Sequence, residues 1–259
     1  MRKRFGQHFL VDGYTIERII ELIAPQACDH ILEIGPGGGV LTDDLVASGA
    51  HLVAVEIDRD LIKNLNRKFA DKPNFTVHNA DILKFDLSQL SAIAPRWKIV
   101  GNLPYNISTP LIMALLEHAQ ICSEMTFMLQ LEVAQRLYAE VGSSAYGRLS
   151  VMAQRRARIN HRLTVAADCF KPPPKVESAV VQLQPQALQS TPEIEAALAN
   201  LVSIAFSQRR KTLGRSLRDL LSKEAIAECG IDPRARPETL TAVEFETLAK
   251  ARLDKQFFA

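Results

Sequence analysis

The sequence predicts an α/β domain built on a mostly parallel, helix-covered sheet, followed by a small all-helical domain. Three observations predict it. Short apolar runs alternate with stretches of helical spacing over the first 130 residues, the pattern of parallel strands buried on both faces. A glycine-rich loop follows the first of these runs and leads into a helix. Beyond Gln184 the strand pattern stops: Pro185 and Ser190-Thr191-Pro192 mark a linker, and only helical spacing follows. The first domain is therefore placed at 1–185, with an N-terminal arm at 1–12, and the helical domain at 190–259.

Each element has its own signal. Ile16, Ile19, Ile20 and Ile23 fall at helical spacing, and Pro25 ends the run. His30-Ile31-Leu32-Glu33-Ile34 is a short apolar strand closed by glycines, and a helix over 40–48 stops at Gly49. Residues 51–57 read as a second buried strand, and Leu61, Ile62, Leu65 and Phe69 place a helix over 59–70. Strands follow at 75–78, 97–101 and 125–131, with Thr109-Pro110 opening a helix before the last of them. Residues 158–165 and 178–184 lack a long intervening helix and are expected to form an antiparallel edge hairpin. In the tail, Ile194, Leu198, Leu201, Val202, Ala205 and Phe206 carry one helix. Others are expected near 215–228 and 241–252, the last opened by a capping box of Thr241 and Glu244.

Composition narrows the function. The chain has 259 residues, 47% apolar and 23% charged, ordinary globular usage and enough for a core without staples. No apolar run reaches membrane-spanning length, so no membrane association is expected. Met1-Arg2-Lys3-Arg4-Phe5 is basic, but no apolar segment follows, which argues against a secretory signal. Cys28, Cys122, Cys169 and Cys229 have no CxxC or zinc spacing and the histidines sit at unrelated spacings, so neither disulfides nor a metal are expected and a reduced, cytoplasmic setting fits. A net charge of +2 excludes a uniformly basic coat. The charge is uneven: residues 148–218 carry 12 basic against 4 acidic side chains. Arg155, Arg156, Arg158, Arg209, Arg210, Lys211, Arg215 and Arg218 stand in that stretch. It fits a polyanion-docking face and also a solvated helix face.

Glu33-Ile34-Gly35-Pro36-Gly37-Gly38-Gly39 lies between a strand and a helix, at the carboxyl end of the first sheet strand, where open α/β sheets bind ligands. Missing side chains let a ligand approach the backbone. Glu56, at the end of the second strand, can accept both hydroxyls of a ribose, and Asp81, after the third, can receive an adenine amino group. A dinucleotide site requires a third glycine at position 40, which is Val40. S-adenosylmethionine has no pyrophosphate and requires only the tight turn. The loop alone leaves the methyl donor, a dinucleotide and an ordinary tight turn open.

Gly101-Asn102-Leu103-Pro104-Tyr105-Asn106-Ile107-Ser108 follows the fourth strand. The exocyclic nitrogen of a nucleobase is a poor nucleophile because its lone pair is delocalised into the ring. The Asn102 side chain can accept one of its N–H groups and the Leu103 carbonyl the other. Pro104 stiffens the turn and brings no competing N–H. Tyr105 can stack on the base. An amine held by both N–H groups is drawn toward a pyramidal, reactive shape, and positioning then supplies most of the rate.

Five stretches together resemble the bacterial small-subunit (16S) ribosomal RNA adenine N6,N6-dimethyltransferases, the kasugamycin-sensitivity family. They are Lys3-Arg4-Phe5-Gly6-Gln7-His8-Phe9-Leu10, Glu33-Ile34-Gly35-Pro36-Gly37, Asn102 to Pro110, Phe170-Lys171-Pro172-Pro173-Pro174-Lys175-Val176-Glu177-Ser178, and Phe206-Ser207-Gln208-Arg209-Arg210-Lys211-Thr212. The resemblance covers nearly the whole chain. It implies a Rossmann-like class I methyltransferase sheet with S-adenosylmethionine as cofactor, contacted by His8, Leu10, Gly35, Glu56, Asp81 and Asn102. Many relatives have Asn where this chain has His8; both can donate a hydrogen bond. The implied target-base pocket comprises Asn102, Leu103, Pro104, Tyr105 and Phe170, with Phe170 on the face of the base opposite Tyr105. The base must be extruded or single-stranded to enter. The implied substrate is a pair of adjacent adenines near the 3′ end of 16S rRNA, each methylated twice within an immature small subunit. Arg209, Arg210, Lys211, Arg215 and Arg218 would hold its phosphates. Separately, the sequence has no obvious dimer seam, so a monomer is expected.

Three other readings are distinct. A resistance methyltransferase of large-subunit rRNA shares the Asn-x-Pro-Tyr loop. A non-catalytic assembly factor would bind the immature subunit as a checkpoint. A nucleotide-dependent oxidoreductase is opposed by Val40 and by the Asn102 loop.

Overall fold

The computed structural model describes residues 8–187 and 190–256. It divides into two compact units: one holds the described residues up to Ala134 with Ile159–Pro185, the other Gln135–Arg158 with the described residues from Gln186 onward.

In the first unit the arm contributes β1 (Phe9–Leu10), and α1 (Gly13–Ile23) follows. Asp12 caps α1 by accepting the Thr15 N–H at 2.8 Å. Then come β2 (His30–Ile34), α2 (Thr42–Ala47), β3 (His51–Glu56), α3 (Arg59–Lys68), β4 (Phe75–Asn79), the short α4 (Ser88–Ser91), β5 (Trp97–Asn102), α5 (Ser108–Glu117) and β6 (Cys122–Gln130). After α6 (Leu131–Leu137) and α7 (Arg148–Gln154), β7 (Ala157–Val165), β8 (Phe170–Lys171) and β9 (Ser178–Pro185) complete the strands. The sheet order is β4-β3-β2-β5-β6-β9-β7. Pairings from β4 through β6 are parallel, and β9 runs antiparallel to β6. The expected edge pair thus sits at the end of a mostly parallel sheet, with β7 outermost. β1 and β8 form a separate two-stranded antiparallel pair, Leu10 opposite Phe170.

Chain order reverses between β2 and β5, and such a switch point opens a crevice at the strands' carboxyl ends. The two strands approach closely there: a side chain at Gly101 would stand 2.5 Å from the Ile34 carbonyl oxygen, so only glycine fits. At the opposite end, Trp97 is fully buried and its indole N–H reaches the Leu90 and Ala94 carbonyls.

The second unit includes α6 residues from Gln135 on and α7, then α8 (Pro192–Ser207), α9 (Leu213–Ser216), α10 (Lys223–Glu228) and α11 (Ala242–Gln256). The capping box is present, with Thr241 N–H on the Glu244 carboxylate at 2.7 Å and Glu244 N–H on the Thr241 hydroxyl at 3.2 Å. Two expectations need correction. The unit reaches back to residue 135, because α7 buries Leu149, Val151, Met152 and Ala153, and it packs on α8. The single helix over 215–228 is two, because the Ser222 hydroxyl accepts the Ala225 N–H and starts α10 afresh. Among the described residues no helix is long and apolar enough to cross a membrane.

Candidate active site

The carboxyl ends of β2, β3, β4 and β5 surround a cavity of about 690 Å³, within the range of small-molecule sites. The glycine loop forms one wall. Gly35, Gly37 and Gly39 all have positive φ, which L side chains rarely adopt. The Phe9 ring lies over the loop, within 3.2 Å of where a Gly37 side chain would begin.

Glu56, ending β3, is buried, and its two oxygens have different partners. One accepts the Ile57 and Asp58 N–H groups, both at 2.9 Å; the other accepts the Gly37 N–H at 3.2 Å. The carboxylate thereby ties the loop to β3. Burial raises its pKa, while those N–H groups pull it down. Glu33 is 1% exposed, and burial pushes its pKa up to about 7, with Glu56 and Asp43 adding to the rise and the Thr42 hydroxyl opposing it. Asp81 lines the cavity and caps the next turn by accepting the Leu83 N–H at 3.0 Å. Ile57 and Leu83 present exposed apolar side chains to the same space.

The loop after β5 supplies the second half. The Leu103 N–H is bonded to Met128, and the turn's own hydrogen bonds begin with the Pro104 carbonyl, which accepts from Ile107 and Ser108. The Leu103 carbonyl stands outside that turn. Asn102 donates one amide N–H to the His8 carbonyl at 3.2 Å. The Tyr105 hydroxyl is 2.9 Å from Ser178 Oγ, and its ring faces the His8 imidazole at 5.9 Å between centroids.

His8, Leu10, Gly35, Glu56, Asp81, Asn102, Leu103, Pro104 and Tyr105 therefore all line one cavity. Phe170 does not: it is 2% exposed in β8, within the apolar cluster that includes Leu10, Ile19 and Val165. The motif residues Lys3 to Gln7, with the rest of the arm before His8, lie outside the described residues. The sequence assigns no individual site role to Thr42, Ser178 or Phe9, although Phe9 and Ser178 stand in two of the five stretches. A polar Thr42 just beyond the glycine loop and a serine closing the proline-rich stretch were the available signals. The site fits S-adenosylmethionine: a loop that admits close backbone approach, an acidic residue at each of two strand ends, and apolar walls for a planar ring. Among the described residues no group of three or more His, Cys, Asp or Glu could hold a metal ion.

The second unit's basic residues divide by surroundings. Arg155 is buried, bonded to Glu195 at 2.5 Å and Glu246 at 2.9 Å, and Arg156 reaches Glu195 at 2.6 Å. Arg209 pairs with Glu238 at 3.0 Å and donates to the Ser143 and Ser144 carbonyls. Arg210, Lys211, Arg215 and Arg218 are exposed.

A family model for ribosomal RNA adenine dimethylase matches residues 1–252. A small-subunit ribosomal RNA methyltransferase A of Pseudomonas putida is 48% identical over 98% of this chain and 96% of its own. Its counterpart in Methylococcus capsulatus is 46% identical over 96% of both. Among solved structures, a dimethyladenosine transferase from Plasmodium falciparum superposes with a TM-score of 0.82 at 26% identity, covering 93% of this chain and 96% of that one. The 23S rRNA methyltransferase ErmE superposes with a TM-score of 0.73 at 28% identity, covering 95% and 99%.

Proposed function

Because the chain belongs to the ribosomal RNA adenine dimethylase family, we propose that it methylates the N6 amines of two adjacent adenines near the 3′ end of 16S rRNA, twice each, within the immature small ribosomal subunit. The observation that carries the reading is that Asn102 and Leu103 line the same cavity as the glycine loop and Glu56.

Asn102 Oδ1 and the Leu103 carbonyl accept the two N–H groups of the target amine, and Tyr105 stacks on the base. Phe170 covers the other face once its ring leaves the apolar cluster. The wall of Ile57 and Leu83 and the carboxylates of Glu56 and Asp81 hold the cofactor's nucleoside, and His8, Leu10, Gly35 and Asn102 complete its contacts. When bound, S-adenosylmethionine supplies the electrophilic methyl group, which passes directly to the amine in line with the departing sulfur. No side chain is required as a strong base, since the product amine loses its proton after attack. After the first transfer one N–H remains, so the pocket accepts amine and monomethylamine alike. Arg209, Arg210, Lys211, Arg215 and Arg218 contact RNA phosphates, and the enzyme works as a cytoplasmic monomer. Identity of 48% to a small-subunit enzyme, against 28% to the 23S one, supports the small-subunit target.

The test is transfer of labelled methyl from S-adenosylmethionine to small subunits lacking adenine dimethylation, followed by digestion to nucleosides. Label in N6,N6-dimethyladenosine from the 3′-terminal region is expected. Label only in large-subunit RNA would replace the substrate with the ErmE-type one. No label in either would leave a binding factor.

A further inference from the structure

His8 is the first described residue, and three of its contacts lie on the acceptor side of the cavity. Its carbonyl accepts the Asn102 Nδ2–H at 3.2 Å. Its imidazole stacks on Tyr105, with centroids 5.9 Å apart and planes 24° from parallel. Its Nδ1–H donates to the Pro172 carbonyl at 2.7 Å, which puts the ring proton on Nδ1. The residues after it are fixed by backbone pairing: Phe9 opposite Lys171, Leu10 opposite Phe170, and the Val11 N–H on the Cys169 carbonyl at 2.9 Å.

We propose that His8 is a positioning residue of the target-base pocket: its carbonyl sets which way the Asn102 amide faces, and its ring braces Tyr105 against the Pro172 turn. The proposal rests on the adenine N6 reading above. It goes beyond the cofactor contact that the resemblance implies for this position.

The chemistry of an amide gives the first half its force. Asn102 has one donor end and one acceptor end. With Nδ2 committed to the His8 carbonyl, Oδ1 is the end left for the N–H of the target amine. A rotated amide would turn donor toward donor. The second half concerns the stacking surface. Tyr105 is held at its hydroxyl by Ser178 and across its ring by His8, so ring rotation is checked at two points. The gap between the two rings is too narrow for a base, which therefore takes the face of Tyr105 turned away from His8 or displaces the imidazole.

Every residue at position 8 keeps the backbone carbonyl, so substitutions there test the ring. His8→Ala removes stack and tie. His8→Phe restores the stack without the tie to Pro172. His8→Asn can restore the tie without the stack. Single-turnover methylation of undermethylated small subunits would be measured at saturating S-adenosylmethionine, with cofactor Kd from calorimetry and folding from melting curves. An aromatic pair is worth enough to change a rate about 2- to 10-fold. At saturating cofactor, His8→Ala is expected to slow transfer by that factor over and above any loss of cofactor affinity from its implied contact, and His8→Phe to recover more of that rate than His8→Asn. No rate loss at saturating cofactor would overturn the proposal. A readout independent of activity is the NMR signal of the four labelled tyrosines. His8→Ala should shift Tyr105 and leave Tyr146 in place; an unmoved Tyr105 overturns the proposal even if the wild-type protein methylates nothing, which by itself would sink only the functional reading.

Discussion

Thr42 donates its hydroxyl to the Glu33 carboxylate at 2.7 Å, and both side chains are buried. The two residues bracket the glycine loop, one next to the last residue of the strand before it and the other starting the helix after it. The carboxyl is the loop's anchor, and its burial has a measurable consequence.

Glu33 should make stability depend on pH in the neutral range. Burial lifts its pKa from an ordinary 4.5 to about 7. Between those values the folded chain keeps a proton that the unfolded chain releases. Its contribution is fully present below the unfolded value and is lost as pH rises through about 7. The loss is on the order of 3 kcal/mol as an upper limit. Glu33→Gln cannot lose a proton, so its melting temperature relative to wild type should climb between pH 5 and 8. A constant offset over that range would show that Glu33 titrates at an ordinary pH.

Glu56 is expected to matter more for cofactor binding than for the fold. Its carboxylate accepts three backbone N–H groups, and Glu56→Gln replaces one oxygen with a donor aimed at donors. A cost of about 1–3 kcal/mol in binding corresponds to S-adenosylmethionine affinity lower by about 5- to 150-fold. Calorimetry on the variant would read it. If affinity is unchanged while the melting temperature falls, the carboxylate serves the loop alone.

The sheet and the cavity were legible because their signals are local. Five apolar runs gave five parallel strands, and the Gly35 loop and Asn102 loop ended up side by side because parallel strands put their carboxyl ends on one edge. What was not legible depends on distance in the chain. Arg155 reads as a surface charge until Glu195 and Glu246, 40 and 91 residues away, converge on it. Phe170 reads as a stacking residue, and nothing local says that pairing with Leu10 buries it. Residues 135–154 join the second unit because α7 has an apolar face for α8, a partner that local spacing does not reveal.

Arg155→Met is expected to destabilise the second unit by at most about 3–5 kcal/mol, since it leaves Glu195 paired with Arg156 and Glu246 with Lys250, each without its buried guanidinium. Burial alone would raise both carboxyls, but the Arg155 guanidinium holds Glu195 below the usual range, and Lys250 followed by Arg155 hold Glu246 below it. Stability from the pair is therefore present above the ordinary carboxylate pKa and lost as pH falls through the depressed native values. Adding Glu246→Gln to Arg155→Met should recover part of the loss in a melting experiment; strict additivity would mean that the two groups do not interact.

The basic residues that build the second unit differ from those exposed to solvent. Arg209 is committed to Glu238 and to two carbonyls, so Arg209→Ala should lower the melting temperature as well as any RNA affinity. Arg210, Lys211 and Arg215 are exposed, and Arg218 makes an exposed pairing with Asp219 at 3.5 Å, which is worth little in water. Alanine at Arg210, Lys211 or Arg215 should leave melting unchanged and weaken binding to small subunits. Each should also reduce the slope of log affinity against log salt by about 1, because a lost phosphate contact no longer releases its counterion. Variants with unaltered slopes would mean that these cations are a solvated face, and that the RNA is held elsewhere on the chain.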